Sequence, residues 1–404
     1  MKRKLISIGA VVIVLALLLT LAPSCGKEKG EVKTLKIGFM GALSGPAASW
    51  GTQHEQGAKW AIDKINEEGG IEVGDDTYML ELVSCDTQFT GSVAATCGTR
   101  LVYDEGIHYV VGPITPAGVE ALKPLFRENK VFNVCMSASS EPSPEDPYHF
   151  NGITVTANGA WEDGHYALFT ELFPEAKTVA HIDPTAYADP WFSVAKAAAE
   201  KYGMTVVEQK GYELGITDFY PILAPVVTKN PDAIDMLASP PGDMALMIKQ
   251  ARELGYEGIL MAPNAAPMDL LIEITGLAYA EGYLMNQPDY LSPLLPEETH
   301  ELYEDFLERF PEAVGGMQNT TISGYATVML YKQGIERADS IDTEKVRAVF
   351  DDPNFKMEFP GLGERKLMGC QTYGICRNFP WFSLISEVRQ GELVTLAWKW
   401  HDVP

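Results

Sequence analysis

The chain has 404 residues, of which 46% are hydrophobic and 21% charged, and its formal net charge is −24. That length exceeds one compact core and suits two domains, and the composition describes a folded protein rather than a disordered one. So acidic a surface repels phosphate backbones and anionic headgroups, which argues against nucleic acid as a partner and against any membrane contact other than through an anchor.

Residues 1–24 read as a signal peptide: MKRK is basic, Leu5 to Leu21 is apolar, and small residues follow. Cys25-Gly26 resembles a bacterial lipoprotein processing site, although Ala22 stands where Leu is usual. Lipid on Cys25 is therefore expected, with residues 25–33 as a polar tether. The expected location is outside the cytoplasm, in the periplasm or on the outer face of the cytoplasmic membrane. Ordinary cleavage and an uncleaved span are the alternatives.

Leu35, Ile37 and Phe39 form a strand-length apolar run, and a loop with Ser44, Gly45, Pro46 and Trp50 follows. Ala58, Ala61, Ile62 and Ile65 then recur at helical spacing up to Gly69-Gly70. Strand-like and helical segments go on alternating: Tyr78 to Val83, Val93 to Val102, His108 to Val111, Val119 to Leu125, Val131 to Val134. After SSEPSPEDPYHF the pattern restarts, with strands at Val179 to Ile182, Val206 to Gln209, Ile234 to Leu237 and Ile259 to Met261 and helices between them. Such alternation predicts an α/β protein with two doubly wound parallel-sheet lobes. Towards the end, Gly324 to Lys332 and Val346 to Phe350 are helical, with few strands around them.

The six cysteines include Cys370 and Cys376, which flank a turn-like CQTYGIC and make the best disulfide pair; Cys85 and Cys97 are the second, and Cys135 lies in an apolar run. No CxxC, HExxH or zinc-spaced Cys/His set is present, so neither a metal nor a cofactor is expected. GLGERK at Gly361 lacks the strand-before, helix-after setting of a dinucleotide site and reads as a surface turn. Seven scattered histidines give no acid–base arrangement, and no enzyme is expected.

IGFMGALSGPAASWG with its helix closing on INEEGGI, together with NPDAIDML and GYATVMLY, resembles the branched-chain amino-acid-binding family of type I periplasmic binding proteins. The resemblance covers about residues 35 to 404. It implies two lobes joined by a three-stranded hinge, with crossings near Ile153, Asn286 and Phe379. Lobe 1 would hold 34–153 plus 287–379, and lobe 2 would hold 154–286 plus 380–404. The implied role is the solute-binding component of an ABC importer, a monomer that captures a small organic ligand and presents it to permease subunits. A ligand-sensing receptor or regulator of the same fold is the alternative.

Several positions acquire roles from that resemblance. Trp50 matches an aromatic that covers the ligand, and Tyr187 one that closes on it from the other lobe. The family's carboxylate-binding Ser falls at Pro116, so Thr115 or the backbone N–H groups of the following helix would have to replace it. Ser137, Ala138, Ser139 and Ser140 match a small hydroxyl-bearing turn that binds the same carboxylate. Asn264 stands where relatives that bind amino acids place a Glu against the α-ammonium. Losing that charge predicts a carboxylate without an amino group, or an amide. Near Ser239 a further ligand-facing aromatic is missing.

Overall fold

A computed structural model describes residues 30–45, 47–136, 141–152, 160–185, 188–313 and 316–401. Cys25, Pro46, the turn Ser137 to Ser140, Ile153 and Tyr187 lie outside the described residues.

The first sheet is built on β1 (Val32–Gly41), which pairs in parallel with both β3 (Asp76–Asp86) and β4 (Tyr109–Val111). β5 (Phe132–Cys135) and β6 (His149–Asn151) extend it in parallel, while the short β2 (Ile71–Val73) runs antiparallel on the outer edge of β3. Alternation along β1 feeds two cores: Ile37 and Phe39 face one cluster, and Met40 faces the other.

The helix foreseen after the opening loop is α1 (Ala48–Glu67), and its apolar face is buried together with Trp60, whose indole N–H donates to Asp305 at 2.9 Å. α2 (Gly91–Thr99) and α3 (Pro116–Glu128) cover the opposite face. Cys85 is bonded to Cys97 and Cys370 to Cys376, and Cys135 is a buried thiol.

The second sheet carries a parallel core of β8 (Thr205–Tyr212), β7 (Thr178–Pro184), β9 (Ala233–Asp235), β10 (Ile259–Ala262) and β11 (Leu284–Met285). Beside β11 lies β14 (Trp381–Arg389), antiparallel to it, and on the outer edge β15 (Glu392–His401), antiparallel to β14, so each sheet is mixed rather than purely parallel. Helices α4 (Ala160–Leu172) and α5 (Ala188–Lys201) pack on one face; α6 (Tyr220–Thr228), α7 (Pro241–Glu253), α8 (Met268–Thr275) and the short α9 (Leu277–Ala280) pack on the other.

From residue 287 the chain returns to the first sheet. α10 (Glu297–Arg309), α11 (Asn319–Ala338) and α12 (Thr343–Phe350) place Phe306, Val328, Tyr331, Val346 and Phe350 in the cluster that holds Ile37 and Phe39. α11 crosses α1 at backbone contact: a Cβ on Gly324 would lie 2.0 Å from the His54 carbonyl oxygen, and one on Gly57 would lie 1.8 Å from that of Thr321. His54 is fully buried at this crossing with neither ring nitrogen partnered, and burial drives its pKa down to about 3.

The hairpin β12 (Lys356–Phe359) and β13 (Gly363–Lys366) contains GLGERK, so that motif is a turn plus one strand, with Gly361 and Gly363 at φ +68° and +75°. Residues 151 and 377–379 run side by side: Asn151 N–H donates to Arg377 O at 2.9 Å, and Phe379 N–H donates to Asn151 O at 3.0 Å. The fully buried Arg377 anchors them, donating to Pro147 O and Phe350 O and pairing with Asp351. Beyond β11 the Gln287 amide donates to Met317 O at 2.8 Å and accepts from Asn319 N–H at 3.3 Å.

Candidate ligand-binding site

Trp50 and Thr115 follow the carboxyl ends of β1 and β4, where ligands bind in open α/β sheets. The loop after β1 is pinned by Asp86, which accepts from Leu43 N–H at 2.8 Å and from the Ser44 hydroxyl at 2.6 Å. Burial works against the Asp86 carboxylate, but these hydrogen bonds and that from Gln88 hold it below the usual range. Trp50 sits half-buried in the first turn of α1, tilted against Phe89 with ring centroids 6.3 Å apart.

After β4, Gly112 adopts φ +105°, and a Cβ there would meet Met40 O at 2.1 Å, so only glycine lets the two strand ends close up. Thr115 is the N-cap of α3 in extended geometry, Pro116 begins the helix, and the Thr115 hydroxyl makes no capping bond. The helix start therefore keeps N–H groups unclaimed by its cap. Met136 N–H donates to Pro113 O at 3.1 Å, which docks the end of β5 against this turn.

In the second sheet Asn264 follows β10, half-buried, with its amide N–H held by Leu237 O at 3.0 Å. Asp269 is exposed in the first turn of α8. What the sequence reading passed over is a set of buried carboxyls beside the Asn264 contact. Glu162, in the first turn of α4, is 1% exposed and neither of its oxygens has a partner. Asp183, near the end of β7, accepts Ala238 N–H at 3.1 Å through Oδ1 and leaves Oδ2 unpartnered. Asp235, ending β9, accepts from the Tyr166 hydroxyl at 2.8 Å and from Leu237 N–H at 3.0 Å. Tyr166 also shares a hydrogen bond of 2.9 Å with His181, and the buried Ser239 Oγ has no partner.

Burial pushes Glu162 up to about 8 and Asp235 up to about 7, and it raises Asp183 as well, with further repulsion from Asp235 and Glu162. The same burial pushes His165 down to about 4 and His181 down to about 3. A visible signal did exist: Asp183 and Asp235 interrupt otherwise apolar strands, where an acid is costly unless something compensates it.

A second polar group was also missed. Cys135 Sγ lies 3.7 Å from His149 Nε2, and His149 Nδ1 is 2.7 Å from Asn133 Oδ1. The three residue types match those of a thiol catalyst, but the Cys135 thiol donates to Asn151 Oδ1 at 3.5 Å, so the group is a buried hydrogen-bond network.

A sequence profile of the periplasmic binding proteins matches residues 34–369. The chain belongs to that family. One relative of this periplasmic binding protein is the leucine-, isoleucine-, valine-, threonine- and alanine-binding protein of Pseudomonas aeruginosa, 23% identical over 346 residues, which are 84% of this chain and 89% of the relative. Among solved structures, a leucine-binding protein from Thermotoga maritima has a TM-score of 0.72 at 22% identity, covering 92% of this chain and 99% of its own. A solute-binding protein of an ABC transporter from R. palustris, in complex with benzoate, has a TM-score of 0.74 at 18% identity, covering 92% and 97%. These likenesses show the fold, two α/β lobes of the type I arrangement. The relatives are solute-binding proteins, and the family is extracytoplasmic; no described helix is long and apolar enough to cross a membrane.

Proposed function

We propose that this protein is the solute-binding component of an ABC importer and captures a small carboxylate-bearing ligand between its lobes. Lobe 1 comprises residues 34–153 plus 287–379, and lobe 2 comprises 154–286 plus 380–404. The ligand is an amino acid, or an aromatic or aliphatic acid. The observation that carries this reading is the start of α3, whose cap hydroxyl on Thr115 is uncommitted beside the docked end of β5. N–H groups and a hydroxyl at a helix N-terminus complement a carboxylate. The protein acts as a monomer held at the membrane by lipid on Cys25, and hinge closure presents the loaded form to the permease subunits.

A thermal-shift screen of amino acids, aromatic acids, aliphatic acids and amides tests the ligand class. A carboxylate is expected to stabilise the protein, and Thr115→Ala or Ser140→Ala is expected to weaken its binding by about 1 to 3 kcal/mol. Stabilisation by amides alone, or unchanged affinity in both variants, overturns the carboxylate site. Intact mass of the membrane-extracted chain tests the anchor: a diacylglycerol adduct on a chain starting at Cys25 is expected, and a soluble product starting elsewhere removes it.

A further inference from the structure

Asn264 alone argues against an ammonium in the pocket, but lobe 2 brings negative charge from other elements. Glu162 comes from the first turn of α4 and Asp183 from the end of β7, and both lie at the carboxyl-terminal edge of the second sheet. Asp183 holds Ala238 N–H, one residue before Ser239, and Asn264 holds Leu237 O, so one short loop ties Asp183 and Ser239 to Asn264. Four atoms on three residues are left unpartnered at this place: both oxygens of Glu162, Oδ2 of Asp183 and Oγ of Ser239, each on a residue no more than 1% exposed.

We propose that Glu162 and Asp183, with Ser239 beside them, form a cation-receiving subsite that takes the ammonium group of a small amine-bearing ligand. The proposal rests on the carboxylate reading above only for the ligand's other end.

The charge balance favours a cation. Around Glu162 and Asp183 stand His165 and Tyr166 of α4, His181 of β7 and Asp235 of β9, and none of these supplies a positive charge, since burial holds both histidines neutral. The nearest lysine acting on this group, Lys196 of α5, acts on His181 and is committed to Glu200. Asp235 already has two donors, so it is the acid with least to offer. Buried carboxyls without a counter-ion keep their protons, and an arriving ammonium replaces a proton. Binding is then coupled to proton release, and affinity rises with pH until the acid ionises unaided. A purely structural acid pair shows no such coupling.

Leucine, 4-methylpentanoate and 3-methylbutylamine are matched probes, carrying both charged groups, the carboxylate alone and the amine alone. Methylammonium, with sodium as the ionic control, probes the subsite by itself. Calorimetry in buffers of differing ionisation enthalpy is expected to show leucine binding at least about tenfold tighter than 4-methylpentanoate, with about one proton released and affinity rising between about pH 6 and about pH 8. Methylammonium is expected to raise the melting temperature of the wild type at the upper pH more than sodium does. Glu162→Gln and Asp183→Asn are each expected to lose that increment and the proton release, while leaving 4-methylpentanoate within about twofold.

If 4-methylpentanoate binds as well as leucine, or methylammonium acts alike on wild type and variants, the subsite is overturned. If methylammonium behaves as expected while leucine and 4-methylpentanoate both fail to bind, the subsite stands and the carboxylate reading falls. Should one variant fail to fold, the other and the wild-type proton count still decide the matter.

Discussion

Gly324→Ala adds one methyl group at the place where α11 crosses α1. The new Cβ would lie 2.0 Å from the His54 carbonyl oxygen, whereas ordinary contact begins at 3.4 Å. The neighbouring atom belongs to a helix backbone and cannot rotate away, so the helices must part by roughly 1.4 Å at this point. Overpacking of this kind costs about 1 to 3 kcal/mol. Parting the helices also loosens the contacts of Trp60, Val328 and Tyr331, which share one core, so the upper end of that range applies. Better helix propensity returns about 1 kcal/mol. A net loss of about 2 kcal/mol is expected in urea unfolding followed by tryptophan fluorescence. Gly57→Ala, facing Thr321 O at 1.8 Å, is expected to lose about as much. The double variant is expected to lose less than the sum, because one separation relieves both clashes. Gly242 in α7 has nothing within 4 Å of its Cβ direction, so Gly242→Ala is expected to be neutral or slightly stabilising. If Gly324→Ala unfolds at the wild-type midpoint and slope, the crossing is not held by backbone contact and the reasoning fails.

Ligand-free stability is expected to fall as pH rises, since Glu162 titrates at about 8 folded and at 4.5 unfolded, and Asp183 and Asp235 are shifted the same way. For Glu162 alone that is on the order of 4 kcal/mol between about pH 5 and pH 9, and Glu162→Gln should remove this slope; parallel pH profiles would refute it. His54, His165 and His181 have folded pKa values below the unfolded 6.5, so stability is also expected to fall as pH drops from about 6.5 towards about 3, most simply read from melting temperatures in an acid series. Replacing Cys85 and Cys97 together by Ser opens a loop of sequence separation 12 and is expected to cost about 3 kcal/mol in chemical denaturation; an unchanged midpoint would deny the bond any role. Arg377→Met leaves the carbonyls of Pro147 and Phe350 without their donor and is expected to cost about 3 kcal/mol or more, measured the same way.

Much of the fold was legible because helix and strand periods are local: α1 and β1 were readable from Ile37, Phe39, Ala58 and Ile65 alone. The mixed character of the sheets was not, since antiparallel pairing of β14 with β11 is a contact between distant segments that leaves no mark in either. GYATVMLY was recognisable as a motif, yet its reason, the contact of Gly324 with His54, becomes visible only when two remote helices cross. Thr115 could be placed after a strand end from the punctuation of Gly and Pro, whereas Asn264 was singled out by the family resemblance alone; both do follow strands. Glu162 could not be placed, because a charged residue in a first helical turn is ordinarily solvated and nothing in the local sequence marks this one as buried.

The hairpin of β14 and β15 hydrogen-bonds within the second sheet, yet Phe382 and Leu384 belong to the core of the first, Trp398 donates to Leu294 O, and Val388 reaches the core of the second. Residues 381 onward thus contribute to both cores and follow nearly all of their other members in the chain. Neither core is complete until synthesis has passed this point, because the late strands contact partners hundreds of positions earlier. A polypeptide that has to be threaded through a narrow channel before folding gains time from that order of events, and afterwards the same hairpin acts as a latch whose loss opens both halves together.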